Sequence, residues 1–348
     1  MRRYKQMTVK GKSLFVGIDL HMLQWHLTIR TEDVEIFCGS IPGKWEALRK
    51  LLDRYPGSLL KTVYEAGCFG FWLHDRLVEY GAECVVTPPS LVPIEYGNKV
   101  KTDRRDSRKL AHLLAKGMLK RVWVPSEEES FHRQVIRRRR QLIGDRVRIQ
   151  CRIKSELCFY RIQMLNTTTK WSQAYVMNLH RLKFNNHWMQ ECFQRLLEEY
   201  DFLSDSVKEQ MKILQEFAET SLYKERVTIL RTVPGIGLIA AMELLLELQD
   251  MERFRRADQL ADYVGLTPSQ YSSADKIRIW RITATGKNNL RGTLIEVAWK
   301  DKWMRRRYDR IKARSGGKRA IVAIARITLL KTRRMLLDNK PYVTGRAA

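Results

Sequence analysis

Leu14-Phe15-Val16-Gly17-Ile18-Asp19 is a short apolar run that ends on a carboxylate. Two further β-like runs follow it across polar turns, His26-Leu27-Thr28-Ile29-Arg30 and Val34-Glu35-Ile36-Phe37-Cys38. Connections this short favour an antiparallel meander. Downstream the rhythm changes to a helical stretch from Lys44 to Tyr55, a strand from Leu60 to Glu65, a helix from Phe71 to Tyr80 and a strand from Glu83 to Thr87. Strands separated by a helix should run parallel, with right-handed crossovers.

Three antiparallel strands followed by alternating helices and strands is the order of the ribonuclease-H-like α/β fold. In that sheet the first and fourth strands are neighbours, which would bring Asp19 and Glu65 to one edge. A third acidic setting, Lys101-Thr102-Asp103-Arg104-Arg105-Asp106, opens a helix predicted from Asp103 to Lys116. The three-residue spacing of Asp103 and Asp106 puts both on one helix face. Taken singly, Asp103 reads as a helix N-cap, Glu65 as a turn residue and Asp106 as a surface acid. Four such acids without evident basic partners, in a chain of net charge +26, instead suggest bound divalent cations: Mg2+, or Mn2+ in its place. That points to phosphodiester chemistry, with Arg104 and Arg105 suited to a scissile phosphate.

Composition agrees. The 348 residues hold 64 Lys plus Arg against 38 Asp plus Glu, an excess that attracts a polyanion. A membrane partner is disfavoured, because no apolar run approaches the ~20 residues of a bilayer span and no apolar signal segment follows Met1, so a cytoplasmic protein is expected. Six cysteines, at 38, 68, 84, 151, 158 and 192, show neither C-x-x-C pairing nor disulfide-scaffold density, so reduced thiols are expected rather than structural zinc.

Three regions are expected, spanning 1–125, 126–223 and 224–348. In the middle region strand signals stop, and apolar residues at helical spacing, Ile136, Ile143, Val147, Ile153 and Leu157, predict an elongated helical hairpin or coiled coil. Arg133, Arg137, Arg138, Arg139, Arg140, Arg146, Arg148, Arg152 and Lys154 there face Asp145 as their acid, which suggests phosphate binding. The last region is mostly helical. Pro234-Gly235-Ile236-Gly237, before an apolar helix from Leu238 to Leu248, fits a helix-hairpin-helix-like turn that would offer backbone N–H groups to a DNA phosphate. Residues 260–276 read as a helix leading into a loop with three serines. A basic turn into a helix follows, carrying Lys287 and Arg291. From Lys300 to Arg319 ten Lys or Arg, Arg305, Arg306 and Arg307 among them, are interleaved with Trp299, Trp303 and Tyr308. This suits stacking plus phosphate contact, and a packed amphipathic helix is the rival reading.

Across nearly its whole length the chain resembles the insertion-sequence "one-ten" family of DEDD transposases, described as bridge-RNA-guided serine recombinases. The resemblance rests on Gly17-Ile18-Asp19, Tyr64-Glu65-Ala66-Gly67, Lys101-Thr102-Asp103-Arg104-Arg105-Asp106 and Leu113-Leu114-Ala115-Lys116-Gly117. It continues in Val233-Pro234-Gly235-Ile236-Gly237, Gly265-Leu266-Thr267-Pro268-Ser269-Gln270-Tyr271-Ser272-Ser273 and Ala320-Ile321-Val322-Ala323-Ile324-Ala325-Arg326. It implies a RuvC-like nuclease domain whose tetrad is Asp19, Glu65, Asp103 and Asp106, a coiled-coil middle that mediates assembly into a dimer or tetramer, and a carboxy-terminal transposase domain with a serine nucleophile. The matching serine is Ser273, with Ser272 as the alternative, because the family's serine usually precedes a glycine and Ser273 precedes Ala274. Ser107 stands where family members often carry alanine; its hydroxyl is expected to cap a helix turn. The implied partners are donor and target DNA and a noncoding bridge RNA. The implied reaction is Mg2+-assisted strand exchange through a phosphoserine, and the serine would need activation by the metal site or a nearby base. Two rivals are a RuvC-like junction resolvase without a covalent step and a catalytically inactive nucleic-acid-binding protein.

Overall fold

The computed structural model describes residues 10–93, 103–162, 171–273, 276–282, 286–297 and 300–343, with the backbone alone at 103, 271–273 and 276–281. The chain divides into two compact units, Met1–Pro125 and Ser126–Ala348.

In the first unit β1 (Ser13–Leu20), β2 (Gln24–Arg30) and β3 (Glu35–Pro42) form the expected meander. Then come α1 (Trp45–Leu52), β4 (Leu59–Glu65), α2 (Trp72–Glu79) and β5 (Glu83–Thr87). The sheet order is β3-β2-β1-β4-β5, with β1 antiparallel to β2 and parallel to β4. Period-2 alternation splits its two faces. Leu14, Val16, Ile18, Leu27 and Ile29 pack with Leu48 and Leu52 of α1 and Leu73 and Leu77 of α2. Val63 and Val85 face the other way and pack with Leu110 and Leu113 of α3 (Asp103–Ala115).

Gly17 lets α3 lie directly on the sheet: a Cβ there would stand 2.1 Å from the Ser107 carbonyl oxygen and 2.6 Å from the Ala111 nitrogen. Near the far end of α3, His112 Nδ1 lies 2.9 Å from an Arg30 guanidinium nitrogen, and Arg30 is the register partner of Phe15. The helix therefore runs against β1, and its first turn comes to the end of β1 that carries Asp19. Arg108 fixes its rotation by donating to both Glu35 oxygens on β3, at 2.8 and 2.7 Å.

The second unit opens with α4 (Glu127–Phe159), started by a reciprocal Ser126–Glu129 capping box. Its 33 residues span about 50 Å at the α-helical rise. After α5 (Gln173–Arg181), the 32-residue α6 (His187–Ala218) returns along it. The direction is fixed by His132 against Phe217 and by the Gln210 amide donating to the Val135 carbonyl. The seam differs in part from expectation. Ile136, Ile153 and Leu157 are buried in it, but Leu142 and Ile149 take the places assigned to Ile143 and Val147, and Val147 is exposed.

The rest is mainly helical: α7 (Lys224–Arg231), α8 (Leu238–Leu248), α9 (Ala257–Val264), α10 (Asn288–Val297), α11 (Lys302–Ser315) and α12 (Gly317–Asp338). Every residue of α8 from Ala241 to Leu248 is buried. The serine-rich segment is not the loop expected. Pro268–Ser273 is strand β6, paired antiparallel with β7 (Lys276–Ile282), and Ser273 lies opposite Lys276. Thr267-Pro268-Ser269-Gln270-Tyr271-Ser272 lacks the apolar alternation that marks a strand, so its own sequence carries little strand signal. No helix among the described residues is long and apolar enough to cross a membrane.

Candidate active site

The β1–β4 register runs to Ile18 opposite Tyr64, so the next residues, Asp19 and Glu65, are neighbours on adjacent parallel strands. Ile18 and Tyr64 point into the core beneath α1 and α2. Alternation turns Asp19 and Glu65 to the opposite face, the one covered by α3. Both are half-buried. Asp106 is half-buried in the first turns of α3, one residue before Ser107, whose carbonyl lies over Gly17. Asp103 is the first residue of α3; its side chain, like Lys101 and Thr102, lies outside the described residues.

Two expectations change here. His21 Nε2 lies 3.3 Å from Asp19 Oδ2, so Asp19 has a basic neighbour across the β1–β2 turn. Ser107 does more than finish a helix turn: it donates to the Arg104 carbonyl at 3.3 Å, and its buried hydroxyl is 3.0 Å from Thr28 Oγ1 on β2. The carboxylates offer an all-oxygen, multiply charged donor set, which suits a hard cation such as Mg2+. Among the described residues, however, no three His, Cys, Asp or Glu are grouped closely enough to hold a metal ion.

In the second unit the backbone places Ser272 and Ser273 at the end of β6. The two legs of the β6–β7 hairpin are drawn together below it. Gly286, at φ +119°, sits where a Cβ would be 2.6 Å from the Gly265 nitrogen, and Gly265 itself ends α9 in the left-handed region at φ +79°. Lys287 N–H donates to the Tyr263 carbonyl at 3.2 Å, and the Arg291 guanidinium donates to the Gly265 carbonyl at 3.2 Å. Arg291 thus braces the hairpin base.

The arginine run of α4 does not face Asp145 alone. Arg137 donates through Nε and Nη2 to the two carboxylate oxygens of Glu247, each at 2.9 Å. Arg140 pairs with Glu243 and lies 3.9 Å from Glu247. Lys287 Nζ approaches Glu247 at 3.7 Å, while Asp145 pairs with Arg148. Glu243 and Glu247 are 6% and 3% exposed. Burial works against the charge of Glu247, but Arg137, with Lys287 and Arg133, outweighs it and holds the carboxyl below its usual range. The signal was present in the sequence as two acids four apart in an otherwise apolar helix. Arg139 is half-buried and burial lowers its pKa, whereas Arg138 is exposed and lines an open cleft of about 800 Å³ with Arg148, Lys287 and Asn289.

Gly235 has φ +94°, and a Cβ there would meet Lys300 Cβ at 2.7 Å; Gly237 precedes α8 with no side-chain cap. The first N–H groups of α8 therefore have no capping side chain at that turn. Arg104, Arg105, Arg305, Arg306 and Arg307 are exposed. Trp303 and Tyr308 are partly buried against Met304 and Ile324, so on these aromatics the packed-helix reading of α11 prevails, and Trp299 lies outside the described residues.

Residues 16–162 match the DEDD transposase model of the IS110 type, and residues 227–316 match the Transposase IS116/IS110/IS902 family. The transposase for insertion sequence element IS1533 of Leptospira borgpetersenii is 30% identical over 299 residues, covering 81% of this chain and 82% of the relative. A Sinorhizobium fredii protein named as a candidate transposase, y4qE, is 28% identical over 335 residues, 93% of this chain and 82% of its own. The transposase for insertion sequence element IS1111A of Coxiella burnetii is 23% identical over 218 residues, 62% of this chain and 58% of its own. The chain belongs to the IS110-type family of DEDD transposases, and is thus an enzyme that cuts DNA and transfers its strands.

Proposed function

We propose that the transposase works by Mg2+-assisted strand exchange through a covalent serine intermediate, guided by a noncoding bridge RNA. The observation that carries the acidic half is the β1–β4 register, which makes Asp19 and Glu65 neighbours on the face covered by α3, with Asp106 in the helix turn that approaches them. Asp19, Glu65, Asp103 and Asp106 would hold the metal, with Mn2+ as a substitute. When bound, it supplies Lewis-acid stabilisation of charge on the phosphoryl oxygens. Arg104 and Arg105, both exposed on α3, approach the phosphate from solvent.

In the serine step the Ser273 hydroxyl, or that of Ser272, loses its proton to a base or water and its Oγ bonds to phosphorus. The bond from phosphorus to one bridging deoxyribose oxygen breaks, and that oxygen takes up a proton and leaves as a free hydroxyl. Attack by the hydroxyl of the incoming strand on the phosphoserine reverses the sequence and returns the serine. Arg138, Arg139, Arg305, Arg306 and Arg307, with the Gly235-Gly237 turn, contact nucleic-acid phosphates, and the α4–α6 hairpin spanning 126–223 mediates assembly into a dimer or tetramer that acts on donor and target DNA.

Covalent trapping tests this reading. Protein co-expressed with its element's flanking noncoding transcript is incubated with donor and target DNA and Mg2+, then denatured and resolved on a gel. A protein–DNA band that disappears in Ser273→Ala and in Asp103→Ala is the expected result. Free cleaved ends without an adduct, made equally well by Ser273→Ala, would show a hydrolytic resolvase instead. Unchanged activity in Asp19→Ala would mark a protein whose acids are idle.

A further inference from the structure

Glu247 is a buried carboxylate that the proposed strand-exchange chemistry does not use, and it joins three separate parts of the second unit. Arg137 and Arg140 belong to the long helix α4, Lys287 stands at the exit of the β6–β7 hairpin, and Glu247 itself lies on α8. Its backbone carbonyl also receives the Tyr263 hydroxyl at 3.5 Å, and the Tyr263 carbonyl accepts the Lys287 N–H. One turn earlier, Glu243 repeats the pattern by accepting from Arg140 and, at 2.7 Å, from Thr293 on α10. Two buried acids one helical turn apart thus bind α4 on one side and the segment leaving the serine hairpin on the other.

We infer that Glu247 is a positioning residue: through Lys287 and Tyr263 it fixes the base of the β6–β7 hairpin to α4, so that the orientation of α4 sets where Ser272 and Ser273 stand. The inference rests on the serine reading for its catalytic meaning, but not for its mechanical content. A buried carboxylate with three cations nearby has little freedom. Moving α4 without moving Lys287 would leave either a buried charge unpaired or cations facing one another, and both are unfavourable. The hairpin has no slack of its own at that point, because Gly286 packs on the Gly265 backbone with no room even for a methyl group. Lys287 accordingly acts as a link and not as a phosphate ligand.

The test is hydrogen–deuterium exchange on the full-length protein, read on peptides covering residues 266–287, for Glu247→Gln, Lys287→Met and the double variant. Both single variants should speed exchange in the hairpin severalfold, and the double variant should add nothing to either, the signature of one shared interaction. Lys287→Arg should restore the parent rate. In the trapping assay the adduct should form more slowly by a factor on the order of tenfold to a hundredfold, with DNA affinity unchanged. Effects of the two substitutions that simply add would overturn the link. Should Glu247→Gln fail to fold, Lys287→Met alone decides, since its side chain is 39% exposed. Unchanged hairpin exchange there, together with a shallower salt dependence of DNA binding, would make Lys287 a phosphate ligand and refute the proposal. If instead Ser273→Ala stays active while the exchange pattern holds, the serine reading fails and the mechanical link survives.

Discussion

The hydroxyls of Thr28 and Ser107, 79 residues apart in the chain, share a buried hydrogen bond of 3.0 Å between β2 and α3. It fixes the height of α3 on the sheet one residue after Asp106, so it sets the position of one of the proposed metal-binding acids. Among the described residues, Ser107→Ala leaves Thr28 Oγ1 with only the distant Cys38 sulfur at 3.5 Å. The variant should lose about 1 kcal/mol of stability in urea titration, because a buried hydroxyl is left poorly satisfied. Equal midpoints for the variant and the parent would mean that α3 is held by packing and the Arg108–Glu35 fork alone.

Gly17→Ala tests the same packing from the strand. Its methyl group would lie 2.1 Å from the Ser107 carbonyl and 3.1 Å from Ala111 Cβ, and all of these atoms belong to backbone or to a rigid side chain. The helix must lift. Overpacking of this kind costs about 3 kcal/mol. Displacement of Asp106 relative to Asp19 should reduce strand cleavage by roughly a hundredfold even where the variant folds. Full cleavage by a folded Gly17→Ala protein would count against the proposed role of Asp106.

The placement of Asp19 beside Glu65, with α3 opening at Asp103, was legible because its determinants are local. A strand ending on Asp19, another ending on Glu65 and a helix opening at Asp103 each announce themselves in a few residues, and the order of the elements then fixes which strands are neighbours. The role of the arginine run was not legible from its own neighbourhood. Arg137 and Glu247 are 110 residues apart, and nothing near Arg137 shows that an acid will arrive from α8. The pair Glu243 and Glu247 inside an apolar helix did carry the information, since buried acids must find cations. Strand β6 was hidden for a third reason: its residues are mostly polar and lack the alternation that marks a strand.

The arginine run should therefore split in function. Arg137→Ala leaves Glu247 buried with weaker partners and should cost about 3 kcal/mol of stability. Arg138 is exposed and pairs with no carboxylate among the described residues, so Arg138→Ala should leave the urea midpoint unchanged. It should instead lower the slope of log affinity against log salt by about 0.9 for each duplex phosphate that the guanidinium no longer neutralises. Equal stability losses in both variants, or no change of slope in Arg138→Ala, would contradict this division.

Acid stability probes the same cluster independently. Glu247 would titrate at its ordinary value of 4.5 in the unfolded chain, but Arg137, with Lys287 and Arg133, overcomes the effect of burial and lowers that value in the fold. The unfolded chain thus takes up the proton at a higher pH than the folded one. The stabilisation from the charged form is complete above about pH 5 and is lost as pH falls through the folded value. Glu247→Gln lacks this contribution at every pH. The difference in urea midpoint between parent and variant should be constant from pH 5 to 8 and should narrow on acidification below about pH 4.5. A gap that widened in acid would require Glu247 to be protonated more readily in the fold than in the open chain. The desolvation of the carboxyl would then outweigh its three cations, and Glu247 could not serve as a charged anchor for Lys287.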